Sequence, residues 1–453
     1  MSGSRYPQYK EAQAQWMGTV PAHWASNKLK YAATFLSGGT PNKSTLEYWD
    51  GDIPWASSKD LKRPAIADTE DHITERAVAD GAAMIDAGDL MVVVRGMILA
   101  HTFPVTQALV PMAINQDLKG VRPHADWDRG YFAYLLRASS PETFRRLDEA
   151  GHGTKALRMD AWVGMEIPQP PVSEQVLIAK YLDRETARID ALVSEQERLI
   201  ELLKEKRQAG ISLAVTKGLN PDAPMKDSGI EWLAEIPRHW RVVQVKHLAR
   251  SGGKTFTDGD WIEAPYITTD GVRLIQTGNI GIGAYKEQGF RYISEGTFDE
   301  LGCTEVNPRD VLICRLDGPV GRACLAPDLG VRMITSVDNA ILKVADDVHP
   351  DFVVALLSSV PWLSWIDALC RVGGGFRLRV SRSQLGELRV PLPPYDEQVA
   401  IANHLGSQAA VSEPLMAEAQ RAIDLLQERR AALISAAVTG QIDVRDAVAR
   451  SAA

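Results

Sequence analysis

The chain has 453 residues, with 50 Lys+Arg against 58 Asp+Glu and a formal net charge of −8. Hydrophobic residues make up 45% and charged residues 24%, a globular balance that excludes a disordered chain, a collagen-like chain and a disulfide scaffold. The length predicts about two to four domains, and the acidity argues at first against a nucleic-acid binder, whose footprint is usually basic.

From the N-terminus, Met1 to Tyr9 is polar and lacks the apolar core of a signal peptide. A motif of Lys10, Trp16, Pro21, His23, Trp24 and Lys30 follows. The next stretch reads as mixed α/β. Leu90 to Val94 is a short apolar strand between Asp89 and Arg95, and Phe132 to Leu136 reads as helix. The hinge Pro168-Gln169-Pro170-Pro171 stops what precedes it, because proline removes the backbone donor and fixes φ. Ser173 can then cap a helix with acid in its first turn. Leu182, Ile189, Leu192, Gln196, Leu199 and Leu203 keep a 3/4 spacing, which predicts one helix over 173–217. It would be roughly 65 Å long.

The pattern then recurs. Lys226, Trp232, Pro237, His239, Trp240 and Lys246 repeat the first motif at an offset of 216 residues. Pro391, Pro393, Pro394, Glu397, Gln398, Ile401 and Leu405 repeat Pro168, Pro170, Pro171, Glu174, Gln175, Ile178 and Leu182 at an offset of 223. The second helix is expected over 395–439, with Leu405, Leu415, Ala419, Ala422, Leu426 and Leu433 on its seam. Between these flanks the two variable stretches look largely unrelated. The second is dense in glycine from Gly271 to Gly289, with a strand at Val311 to Cys314 and a helix at Phe352 to Leu357. A period this long is a domain duplication rather than a solenoid. A lone helix would expose its apolar seam, so the economical partner of each long helix is its own repeat, often as a coiled coil. The alternative is two helices that each pack on their own domain. The expected segments are therefore 1–172, 173–217, 218–394, 395–439 and a tail at 440–453.

Cys303, Cys314, Cys324 and Cys370 form no C-x-x-C pair, so no zinc site is expected and a reducing compartment fits. Phe352 to Ile366 is apolar but too short for a membrane span. These features read as a cytoplasmic protein without a membrane partner. Leu392-Pro393-Pro394-Tyr395 resembles the N-P-P-Y of amino-methyltransferases, but leucine cannot accept the amino group's hydrogen bond. Gly252-Gly253-Lys254-Thr255 resembles the end of a phosphate loop, but Leu248 stands where the first glycine belongs. No P-D…(D/E)-x-K nuclease triplet and no H-E-x-x-H occur. His23 and His239 are expected to cap or pack beside their tryptophans rather than catalyse.

The residues resemble one family, the specificity subunits of Type I restriction–modification systems. The likeness runs over nearly the whole length. It rests on Trp16…Pro21-x-His23-Trp24, on Gly39-Thr40-Pro41…Glu47-Tyr48-Trp49-Asp50-Gly51-Asp52-Ile53-Pro54-Trp55, on Gly88-Asp89-Leu90, and on the duplicated P-x-P-P-x-x-E-Q hinge with its helix. Ile275-Gln276-Thr277-Gly278-Asn279-Ile280 stands at the core of the second half. The resemblance implies an α+β fold of two α/β target-recognition domains, separated by two long helices in an antiparallel coiled coil, with a pseudo-twofold internal repeat. Each domain would read one part of an asymmetric bipartite site in double-stranded DNA. The subunit itself would be non-catalytic and would hold no cofactor. Two methylation subunits and restriction subunits would bring S-adenosylmethionine, ATP and Mg. The competing reading is a coiled-coil scaffold joining two protein-binding domains.

Arg or Lys reads guanine, Asn or Gln reads adenine, and Ser or Thr reads either. On that basis the candidates in the first domain are Trp55, Ser57, Ser58, Lys59, Arg95, Asn115 and Gln116. In the second they are Tyr266, Thr268, Thr269, Arg273, Gln276, Thr277, Asn279, Arg315 and Asn339. Arg371 to Arg389 holds five arginines and one acid, a net of +4 around Gly373-Gly374-Gly375. Arg377, Arg379 and Arg382 within it are expected to meet phosphate. The first half has no such patch. The acid is local as well: residues 60–89 hold eight Asp/Glu against three Lys/Arg.

Overall fold

A short, fully buried apolar strand lies in the core of each half of the chain, Leu90–Val93 in the first and Val311–Cys314 in the second. The computed structural model describes residues 5–149, 153–372 and 378–445. By their contacts they form two compact units, Met1–Gln196 with Arg421–Ala453, and Glu197–Gln420.

In the first unit the strands and helices that matter are, in chain order, β1 (Ala25–Lys28), β2 (Ala33–Ser37), β3 (Trp49–Ala56), β4 (Ala65–Ile66), β5 (Asp71–Ile73), α1 (Glu75–Ala79), β6 (Met84–Ile85), β7 (Leu90–Val93), β8 (Val105–Ala108), β9 (Met112–Ile114), β10 (Leu118–Pro123), α2 (Arg129–Ala138), β11 (Glu166–Gln169) and α3 (Val172–Lys217). One sheet has the order β2-β10-β7-β8-β4 and a second the order β5-β3-β9-β6. β7 lies central to the first, and all four of its residues are buried, as a strand covered on both faces requires. α2 covers the sheet with Tyr131, Phe132, Leu135 and Leu136.

The second unit holds β12 (Arg241–Gln244), β13 (Phe256–Asp258), β14 (Val272–Ile275), β15 (Tyr292–Ile293), α4 (Glu295–Leu301), β16 (Val311–Cys314), β17 (Ala323–Leu325), β18 (Met333–Thr335), β19 (Asn339–Leu342), α5 (Pro350–Leu357), α6 (Val360–Val372), β20 (Arg389–Leu392) and α7 (Tyr395–Val438). Its sheets run β13-β19-β16-β17 and β15-β14-β18. These two sheets have the strand orders of the first unit's two larger sheets with the edge strands β4 and β6 removed; the first unit's further sheet of Arg95–Gly96, Lys155–Leu157 and Leu147–Glu149 has no counterpart among the described residues. The pairing directions agree too: β3 runs parallel to β9 as β14 runs parallel to β18. The two variable sequences thus share the strand order of their two main sheets.

A buried carboxylate shows how. Asp89 Oδ2 accepts the Asp86 backbone N–H at 3.0 Å and pairs with Arg122 at 2.6 Å. Asp310 Oδ2 accepts the Asn307 N–H at 2.8 Å and faces Lys343 at 3.6 Å. Each acid caps the turn that leads into the central strand, and each finds its cation 33 residues later. Burial pushes the Asp310 carboxyl above the usual range, against that N–H and Lys343.

The repeated flanks form a clasp in each unit. Glu174, on the first turn of α3, receives Tyr6 Oη at 3.1 Å and Trp24 Nε1 at 2.9 Å, with His23 Nε2 at 2.6 Å. Glu397, on the first turn of α7, receives Trp240 Nε1 at 3.0 Å, with His239 Nε2 at 2.7 Å. Gln175 and Gln398 each hold the backbone N–H before a domain helix, at Asp128 and His349, and the hinge carbonyl of Pro170 or Pro393. Trp16 and Trp232 donate to the carbonyls of Glu166 and Arg389, where β11 pairs with β1 and β20 pairs with β12. Both histidines thus pack beside their tryptophans, as expected.

α3 has 46 residues and α7 has 44. Each begins in one unit and ends in the other. Each also ends on a left-handed glycine, Gly218 at φ 76° and Gly440 at φ 73°, the usual way to close a helix. A Cβ on Gly440 would lie 2.4 Å from Pro21 Cδ, and one on Gly218 would lie 3.2 Å from Trp240. Glycine is needed there because the helix end closes on the clasp. Within the first unit Arg430 pairs with Asp190 at 2.9 Å, and within the second Arg207 pairs with Glu413 at 3.0 Å. One index rises by 17 as the other falls by 17, so the helices run antiparallel against each other.

The inward positions of α3 are Leu182, Thr186, Ile189, Val193, Gln196, Ile200, Leu203 and Arg207, in alternating steps of four and three. Those of α7 include Leu405, Ala409, Ser412, Met416, Ala419, Ile423, Leu426, Arg430 and Leu433. The sequence reading placed Leu192, Leu199 and Leu415 there, and this is corrected. All three are at least 42% exposed, one residue out of phase with Val193, Ile200 and Met416. Leucine outweighed valine and isoleucine by size, but the period set by Leu182 and Ile189 decides which face turns inward. We expect Ile189→Ala to cost about 2–5 kcal/mol and Leu192→Ala under about 0.5 kcal/mol. Urea titration of the two variants checks this, and equal costs would refute the seam.

Among the described residues no single helix is long and apolar enough to cross a membrane. α5 and α6 together reach the length with a bend of 56°, but Phe352, Leu356, Trp362 and Ile366 are fully buried in the core of the second unit.

Candidate nucleic-acid interface

The loop after β3 and the loop after β14 occupy the same place in the shared topology, and one residue closes each. Asp60 Oδ2 accepts the Ser57 N–H at 2.8 Å, while Oδ1 accepts the Glu70 N–H at 3.1 Å. Asn279 Oδ1 accepts the Gln276 N–H at 2.8 Å, while Nδ2 donates to the carbonyls of Lys286 at 2.9 Å and Gln288 at 2.7 Å. Both residues sit three after the strand-end N–H they bind. Both tie the start of a long exposed loop to its far side.

Many residues chosen from sequence as base readers serve the fold instead. Trp55 is buried, donates to the Gly39 carbonyl and meets Trp49 edge-on at 5.2 Å. Ser57 spends its hydroxyl on Asp60, and buried Asn115 accepts the Asp117 N–H. Arg273 is 2% exposed and donates to the carbonyls of Gln288, Gly289 and Arg291. Asn279 is 1% exposed. Arg315 is buried, pairs with Asp258 at 2.8 Å and donates to the carbonyls of Val337 and Val380. Burial pulls its guanidinium below the usual arginine range. Asn339 is fully buried and donates to Thr335 and Ser336. The expectation that these seven meet bases is corrected. Each is buried and bonded to its own fold, although Arg315 Nε and Asn339 Oδ1 have no partner among the described residues, and exposing them would orphan the groups they bind.

The other candidates remain at the surface. Ser58 is half-buried, and Lys59 is exposed but paired with Glu70 and Asp71. Arg95 is exposed, and Gln116 is exposed and accepts the Thr40 hydroxyl. Tyr266, Thr268, Gln276 and Thr277 are half-buried, Thr268 donates to the Asp270 carbonyl, and Thr269 is exposed. The basic stretch is less basic in space than in sequence. Arg371 pairs with Asp367 at 2.7 Å, Arg379 with Asp338 at 3.2 Å and Arg382 with Asp258 at 3.2 Å. The counter-ions of Arg379 and Arg382 come from other segments, which a running charge sum cannot see, and that of Arg371 lies one turn earlier on its own helix, just outside the stretch that was summed. Arg377 and Gly373 to Gly375 lie outside the described residues.

The sequence reading missed Lys62 and Arg63 in the first loop and Lys286, Phe290 and Arg291 in the second, all exposed. The signal available was the glycine-dense run ending at Gly289, which marks a surface excursion. Among the described residues no group of His, Cys, Asp and Glu could hold a metal ion. Gly252 to Thr255 is a surface turn, closed by the Thr255 hydroxyl on the carbonyls of Arg250 and Gly252.

A family model described as the Type I restriction modification DNA specificity domain matches residues 21–202. The EcoR124I/EcoR124II specificity subunit of Escherichia coli is 29% identical over 44% of this chain and 47% of its own length. The MjaVIII specificity subunit of Methanocaldococcus jannaschii is 22% identical over 94% of this chain and 95% of its own. Over most of its length the chain is similar to Type I restriction enzyme specificity subunits. The alignment spans about half the length of some of these curated relatives and nearly all of others. A solved structure of a type I restriction–modification system superposes on this chain with a TM-score of 0.68 at 15% identity, over 92% of this chain and 98% of that one. That likeness carries the fold.

Proposed function

We propose that the chain is the DNA sequence-specificity subunit of a Type I restriction–modification complex. Each unit reads one part of an asymmetric bipartite site. Two methylation subunits methylate adenine there, restriction subunits cleave, and S-adenosylmethionine, ATP and Mg belong to those partners. One observation carries this reading: a single fold occurs twice on a shared helical frame, with different loops on the two copies. A scaffold for protein-binding domains needs no such pairing of one frame with two unlike loops. Half-sites about one turn of DNA apart, ~34–36 Å, suit a protein with two readers. The test is methylome sequencing of a host with and without the gene. An adenine-methylated motif with two different halves, lost on deletion, is the expected result. A palindromic motif, or none that depends on the gene, overturns the reading.

A further inference from the structure

The buried candidates of the second unit point to what they support. Arg273 lies under the loop Gln276 to Arg291, with three hydrogen bonds to its carbonyls at 3.1 to 3.4 Å. Its guanidinium also lies 5.1 Å from the Phe290 ring and 5.3 Å from the Tyr292 ring. Asn279 holds the same loop at the Lys286 carbonyl and shares the Gln288 carbonyl with Arg273, and Arg322 ties its start at the Thr277 and Ile280 carbonyls to the turn at Asp317. The backbone is thus pinned from below while the side chains of Lys286, Phe290 and Arg291 face solvent, Phe290 at 61% exposure. Most arginines of this unit are neutralised, among them Arg309, Arg332, Arg371, Arg379 and Arg382. Among the described residues Lys286 and Arg291 have no carboxylate partner.

We propose that this pinned loop is the base-reading element of the second unit, with Arg291 and Lys286 as guanine readers and Phe290 as the apolar contact. This rests on the functional reading above. An ammonium or guanidinium only donates, and guanine is the base that offers two acceptors, O6 and N7, in the major groove; an exposed ring suits a thymine methyl. A pinned loop also loses little freedom on binding. The half-site of this unit should therefore contain guanine.

The test uses the complete complex with both methylation subunits. Arg291→Ala and Lys286→Ala, each compared with wild type, are read by the motif they methylate and by their melting temperature. The expected result is relaxed choice at one base pair of one half-site, by about 5- to 150-fold, with the other half-site and the melting temperature unchanged. If the wild-type complex leaves a motif and both variants reproduce it in full, the loop does not read bases and this inference alone falls. Loss of both halves at an unchanged melting temperature overturns it as well. If the wild-type complex leaves no motif, the functional reading falls and takes this inference with it.

Discussion

Replacing Glu174 with alanine should lower the stability of the first unit by about 3–5 kcal/mol. Glu174 is buried and gathers Tyr6, His23 and Trp24 on two carboxylate oxygens. A hydrogen bond to a charged group contributes about 1.5–3 kcal/mol, and the Trp24 and Tyr6 donors would be left buried without an acceptor. Burial first and the neighbouring Glu174 second push the Tyr6 hydroxyl above the usual tyrosine range, in line with a buried donor held by this carboxylate. For a unit of this size the loss corresponds to a fall of roughly 6–20 °C in melting temperature. Glu397→Ala is the internal control. Its side chain is 26% exposed against 11% for Glu174, and it has two such donors rather than three. It should cost about half as much. Scanning calorimetry of the two variants decides this. A larger loss for Glu397→Ala, or a loss under about 1 kcal/mol for Glu174→Ala, would show that the repeated P-x-H-W and E-Q motifs do not clamp each domain to its helix.

The frame of the molecule was legible in the chain because it is written twice. The matched offsets found both long helices and both hinges, and the apolar runs at Leu90 and Val311 found both central strands. Two things were not legible. The variable stretches looked unrelated because their common fold is held by a few residues, such as Asp89 with Arg122 and Asp310 with Lys343, whose partners stand 33 residues away. The reading residues were misplaced because residue type alone cannot separate a donor used inward from one used outward. Arg273 and Arg291 are the same amino acid on one short segment, yet the first is buried and the second exposed. Strand alternation does not settle it either, since all four residues of β14 are buried.

That contrast makes Arg273→Ala the sharper of the two arginine substitutions. It removes a buried guanidinium, three carbonyl hydrogen bonds and the platform beneath two rings, so it should cost about 2–4 kcal/mol, since hydrogen bonds to a charged group contribute about 1.5–3 kcal/mol and the carbonyls lose their donor. The segment from Gln276 to Tyr292 should then exchange its amide hydrogens as an open loop does, and reading of the second half-site should be lost together with stability. Arg273→Lys keeps the charge but not the planar fork that spans three carbonyls, and should recover less than half of the loss. Arg291→Ala should do the reverse, with discrimination lost and stability kept. The pair separates the support from the reader in a way neither variant does alone. Equal melting temperatures for Arg273→Ala and wild type would mean that the loop holds its shape without the arginine beneath it, and the pre-organisation ascribed to this loop would have no physical basis.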